Sequence, residues 1–250
     1  MRVRSLTVCA VMTALLLAVQ YALSAVSGVE LVTVLLLAFS YCFGARMGTT
    51  AAAAFSLLRC LLYPFSPTAL VLYLLYYPAF AFVFGMLGKQ EKPLSFWACP
   101  CLLLCLGGAC LYFAVAGVPV SVLNAARLSG MLWALFALFA ALFLFSLVLP
   151  CAGRGSAWRE TASLAALAAL FTVCFTLIDD VLTPLWYGYA PDAAVAYFYA
   201  GFLAMVPQTI CAVVSVCLLF PPLKQVFCLQ RRAYGKKPPV NVGRNGKDMI

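Results

Sequence analysis

The sequence contains no histidine and almost no charge: of 250 residues, 9% are Asp, Glu, Lys or Arg. A soluble domain of this size carries about 25% charged residues, so a water-exposed surface is excluded for most of the chain. Without histidine there is no imidazole for general base catalysis, and no H-E-x-x-H zinc site. No G-x-S-x-G elbow occurs either, so acyl-transfer and zinc chemistry lack their usual parts. There is no G-x-x-x-x-G-K-[ST] run, and the chain carries no ATPase signature of its own. It also shows no evident internal repeat, a feature many secondary carriers have.

What is present is apolar. Hydrophobic residues make up 66% of the chain and the mean hydropathy is +1.06. These values define a polytopic membrane protein. The 12 cysteines all lie in or beside apolar runs. The densest group, Cys99, Cys101, Cys105 and Cys110, lacks the paired spacing of zinc sites. They read as small apolar helix residues, and neither a metal nor a cofactor is expected.

Eight apolar segments can be counted, at about 5–26, 29–44, 47–63, 67–88, 95–116, 127–150, 162–186 and 195–221. The expected fold is therefore all-α, a transmembrane bundle of about eight helices. The second and third segments are short and joined by the tight link Gly44-Ala-Arg-Met-Gly48. The start resembles a signal peptide, but its apolar run from Leu6 to Val26 exceeds the usual 7–15 residues; it reads as a retained first helix. Residues 1–223 form the membrane domain, and the polar stretch 224–250 reads as a disordered basic tail.

The net charge of +9 reflects topology rather than a nucleic-acid partner. With the N-terminus in the cytoplasm, the inner segments hold Arg2, Arg4, Arg46, Lys89, Lys92, Arg154, Arg159, Lys224, Arg231, Arg232, Lys236, Lys237, Arg244 and Lys247. That is 14 of the 16 basic residues, as the positive-inside rule requires. It puts both termini inside. Removing the first segment would keep the same loop sides, so charge alone does not decide the signal-peptide question.

The remaining charges gather in the outer half. Arg59 lies near the outer end of segment three, Arg127 opens segment six, and Glu30 starts segment two. Asp179 and Asp180 lie six to seven residues before the outer end of segment seven, about 10 Å below it. An Asp at a helix centre costs roughly 2.5–3.5 kcal/mol to insert, and intramembrane ionisable residues default to a functional role. Pro184 cannot donate to the Asp180 carbonyl, which is left for another partner. Tyr73, Tyr76, Tyr77, Trp186, Tyr187 and Tyr189 surround this depth, and Gln20, Tyr21, Asn124 and Gln208 add uncharged polar groups. Asp179, Asp180, Arg59, Glu30, Tyr73, Tyr76, Trp186 and Gln208 are the candidate substrate-binding residues. Other readings stay open: an interfacial aromatic belt, arginines that snorkel outward, or a structural ion pair between Arg59 and one aspartate.

On the first helix Ala10, Ala14, Ala18 and Ala22 recur every four residues. Such stripes admit close helix approach, either within the chain or to a partner.

These segments resemble the substrate-binding membrane subunits (S components) of energy-coupling factor (ECF) transporters. The resemblance rests on "RSLTVCAVMTALLLAVQ", on the short pair in "ELVTVLLLAFSYCFGARMGTTAAAAFSLLRCLL", on "YLLYYPAFAFVFGMLGK" and on "FYAGFLAMVPQTICAVVSVCLLFPPLKQVF". It covers most of residues 1–90 and 162–227. It implies a six-helix core, with residues 95–150 as two added helices. It also implies capture of a vitamin or related micronutrient at the plasma membrane of a bacterium. Partners would be a transmembrane coupling protein and two cytoplasmic ATPases, docked through an A-x-x-x-A face that Ala10, Ala14 and Ala18 match. The alternative is a secondary transporter with Asp179 or Asp180 as proton or sodium site; a membrane enzyme is the weakest of the three.

Overall fold

The computed structural model describes residues 3–25, 30–62, 66–89, 98–118, 122–148 and 155–235. Within them the chain forms eight α-helices: α1 (Val3–Leu23), α2 (Val32–Phe43), α3 (Ala45–Leu62), α4 (Pro67–Leu87), α5 (Ala98–Ala116), α6 (Val122–Val148), α7 (Gly155–Tyr187) and α8 (Pro191–Gly235). Five of them, α1, α4, α6, α7 and α8, are long and apolar enough to cross a membrane. This is the architecture of a multi-pass helical membrane protein, since only helices satisfy every backbone group within a lipid-exposed segment.

α7 packs along α8, and α2 lies between α4 and α8, while α3 joins α1 to α4. α5 and α6 form a hairpin whose main contacts outside itself are with α7 and α8. The two helices expected as additions therefore sit at the side of a bundle made by the other six.

One end of this bundle is basic. Here α2 turns into α3 at Gly44, whose φ of 90° favours glycine and whose N–H bonds to the Ser40 carbonyl at 2.8 Å. Gly85 of α4 presses on this elbow so closely that a Cβ would overlap the backbone of Ala45. Gly85→Ala is expected to cost about 1–3 kcal/mol, the usual range for overpacking, and to lower the melting temperature in detergent. Gly108→Ala, which meets nothing within 4 Å, is the matched control. Equal melting of Gly85→Ala and wild type would refute the close approach.

The same end carries a clasp between three helices. Lys224 of α8 donates to both Glu160 oxygens at 2.7 Å, Tyr41 of α2 donates to Glu160 Oε1, and Arg231 reaches the Cys42 carbonyl at 2.8 Å. The pair is 35% and 21% exposed, so screening holds its worth to about 1 kcal/mol or less; its larger effect is to fix α2 against α7 and α8. Deeper in the bundle, Thr13 donates to Ala51 and Ser56 to Tyr73, interhelical bonds worth about 0.6 kcal/mol each.

Two boundaries differ from the sequence reading. α8 continues through Pro207, Pro221 and Pro222 to Gly235, so the boundary expected at 223/224 falls inside a helix. Its 45 residues span about 68 Å, more than twice the roughly 30 Å hydrocarbon layer, and its last turns extend beyond the apolar zone. Residues 236–250 of the expected tail lie outside the described residues. α2 is the second difference: with 12 residues it covers about 18 Å, and it does not begin where the sequence put it.

Candidate functional site

The short α2 carries Glu30 to an unexpected depth. Glu30 immediately precedes Leu31, the N-cap of α2. Its backbone N–H points to the Cys211 sulfur at 3.4 Å, and that sulfur lies 3.6 Å from the Glu30 carbonyl. Cys211 is near the middle of α8. Glu30 was expected at the outer boundary of segment two; instead it sits about halfway along the bundle, because α2 reaches the basic end in only three turns.

A carboxylate at this depth needs donors. Tyr77 of α4, itself buried, donates to Glu30 Oε1 at 2.7 Å, the Thr33 side chain hydrogen-bonds it, and the charge of Arg59 acts on it. Arg59, from the last turn of α3, lays its guanidinium 3.8 Å from the centre of the Tyr73 ring. This stacking holds the arginine inside the bundle rather than turned out to snorkel, and a cation–π contact of this kind is worth about 0.5–2 kcal/mol.

The tyrosines form one aromatic wall. Tyr73, Tyr76 and Tyr77 face Phe175 of α7 at centroid distances of 5.6, 4.6 and 6.3 Å, and Tyr76 hydrogen-bonds Thr172. One turn beyond Phe175, Asp179 accepts from Thr183 at 3.0 Å, and its charge reaches Tyr73 and Tyr197 of α8. Residues from the α2 entry, α3, α4, α7 and α8 thus converge on one polar-aromatic cluster in an otherwise apolar bundle. Such a cluster can bind a small molecule with a cationic group against Glu30 or Asp179, an anionic group against Arg59 and a ring against the tyrosines.

Asp180 goes elsewhere. Successive helical residues point about 100° apart, and Asp180 turns towards α8, where its carboxylate packs on Gly201. It is 5% exposed, and its Oδ2 has no hydrogen-bond partner among the described residues. It borders a cavity of about 340 Å³ between α7 and α8, with Pro184, Tyr189, Phe198 and Tyr199. The paired aspartates therefore serve two different surroundings.

The other expected residues scatter. Trp186 is exposed near the end of α7, as an interfacial aromatic is. Gln208 is half-buried on α8, three residues before Cys211 and so on the same face. Arg127 is exposed near the start of α6, the second helix of the side hairpin. Phe175, Thr172, Thr33 and Cys211 were not anticipated. Phe175 and Thr172 had a signal, lying four and seven residues before Asp179 on one helix face; Cys211 had none, since nothing in the sequence pairs residue 30 with the middle of the last helix.

The alanine stripe faces away from this cluster. α1 buries Cys9, Met12, Thr13 and Leu16 and leaves Ala10, Ala14, Ala18 and Ala22 exposed. Ala10 and Ala14 line a shallow apolar groove of about 370 Å³ with Thr50, Ala54 and Leu58 of α3. Packing among the described residues does not account for the stripe.

No protein-family model, curated protein or solved structure matches the chain.

Proposed function

We propose that the chain is the membrane-embedded capture subunit of an ATP-driven importer of the energy-coupling factor type, taking up a small micronutrient that carries a ring and a positive charge. The observation behind this reading is the half-depth carboxylate of Glu30, held by Tyr77 and Thr33, beside an arginine stacked on Tyr73 and a second carboxylate at Asp179. In this reading the basic end is cytoplasmic, so the cluster is approached from outside the cell. The side position of α5–α6 supports it, since the other six helices then form the substrate-binding core. The outward-facing alanine stripe supports a transmembrane coupling partner, with two ATPases beneath it supplying the energy the chain has no motif to harvest.

A secondary carrier is the second reading, and Asp180 favours it: a buried carboxyl oxygen without a partner among the described residues suits a group that takes up and releases a proton. One experiment separates the two. Mass spectrometry of small molecules retained by the purified chain identifies the substrate, whose labelled form is then followed in cells. Uptake is expected to survive collapse of the proton and sodium gradients while ATP is held constant. Uptake by the purified chain alone in liposomes, driven by an imposed gradient, establishes the carrier instead.

A further inference from the structure

At the basic end, a second cavity opens between the side hairpin and the core. It measures about 400 Å³ and is bordered by α6, α7 and α8, with Leu142, Phe145, Ala162 and Cys217 on its walls and Trp158 and Arg159 on its α7 side. Three features mark it. Its walls are almost wholly apolar, so water has few partners in it. Among its lining residues there is one cation, Arg159, and no carboxylate. Trp158 is 56% exposed, beside Arg159 at the start of α7, where an indole suits the boundary between acyl chains and headgroups.

We infer that this cavity is a binding site for an anionic phospholipid of the leaflet at the basic end, with one acyl chain between α6 and α8 and the headgroup phosphate on Arg159. The chemistry is that of a basic pocket between membrane helices: apolar walls take the chain, and a cation near the interface selects the charge of the headgroup. A free anion has no use for the apolar walls, and a zwitterionic lipid, which offers the same phosphate, brings its own cation beside the arginine and loses the net attraction. A lipid there wedges the hairpin against the core and stands in for side-chain packing that the gap lacks. The inference concerns the bundle alone and holds whichever transport reading is correct.

Lipids brominated on the acyl chain test it by quenching tryptophan fluorescence. The purified chain is reconstituted in phosphatidylcholine vesicles with a small fraction of brominated phosphatidylglycerol or, in parallel, brominated phosphatidylcholine. Subtracting the same measurement on Trp158→Phe isolates the Trp158 signal. Brominated phosphatidylglycerol is expected to occupy the site about fivefold more readily than brominated phosphatidylcholine, the preference one cation near a headgroup confers. Arg159→Gln is expected to abolish that preference and Arg159→Lys to keep it. Ala162→Leu, which fills the groove, is expected to remove phosphatidylglycerol retained in native mass spectrometry. Equal quenching by the two lipids overturns the site in favour of ordinary surrounding lipid. An undiminished preference in Arg159→Gln overturns it as well, because the selectivity then arises elsewhere on the basic end.

Discussion

Replacing Glu30 with glutamine is expected to weaken substrate binding at least tenfold, about 1.4 kcal/mol, while the protein folds and inserts normally. The side chain keeps its size and can still accept the Tyr77 hydroxyl bond seen at 2.7 Å. What is lost is charge, and hydrogen bonds to an ionised acceptor are roughly twice as strong as neutral ones. A substrate cation would lose its nearest counter-charge at half-depth, where little water screens the contact. Tyr77→Phe is expected to have a smaller effect, because the carboxylate keeps Thr33 and the Arg59 charge. Titration calorimetry with the substrate identified by mass spectrometry decides the matter. Wild-type affinity in Glu30→Gln would remove Glu30 from the site. A variant that fails to fold, with Tyr77→Phe failing likewise, would make the carboxylate a structural group holding α2 to α4.

The depth of Glu30 also marks where sequence reasoning reached its limit. The eight helices and their order were legible because a bilayer demands long apolar runs and because basic residues punctuate them. Asp179, Arg59 and the tyrosines were legible as a group, since charge is costly in that setting. Depth was not. A helix that crosses the whole layer has its ends set by its length, but a helix of three turns can sit at either face, and α2 is placed by Gly85 against its elbow and by the Lys224–Glu160–Tyr41 clasp. In the clasp these are contacts between residues 64 and 119 positions apart, and no local pattern encodes them. Rotation was equally hidden. That Asp179 faces the tyrosine wall and Asp180 faces Gly201 follows from how α7 meets α8, and the adjacent letters give no sign of it. The end of α8 was misplaced for a third reason: the boundary was set where the apolar run gives way to the polar stretch 224–250, yet a helix does not stop where its composition turns polar, and α8 continues through Pro221 and Pro222 to Gly235.

The largest effect on transport is expected from the opposite side of the molecule, at Ala14. The stripe of Ala10, Ala14 and Ala18 is exposed, while Cys9 and Thr13 on the neighbouring face bond to the Met47 and Ala51 carbonyls of α3. α1 is therefore already anchored to its own bundle, and the alanines remain over as a smooth surface beside the groove with α3. Such a surface admits the backbone of another helix only while its side chains stay small. Ala14→Trp is expected to obstruct the coupling partner outright, abolishing ATP-dependent uptake and recovery of the ATPase complex in a pull-down. Substrate affinity of the isolated subunit should stay within a factor of about two, since ordinary surface changes cost no more than about 0.5 kcal/mol and the stripe faces away from the Glu30 cluster. Ala14→Ser, which keeps the surface smooth, should retain both complex and uptake. Full recovery of the complex with Ala14→Trp would sink the docking face. Loss of substrate affinity together with uptake would instead show that α1 shapes the binding site through α3, whose Arg59 stacks on Tyr73.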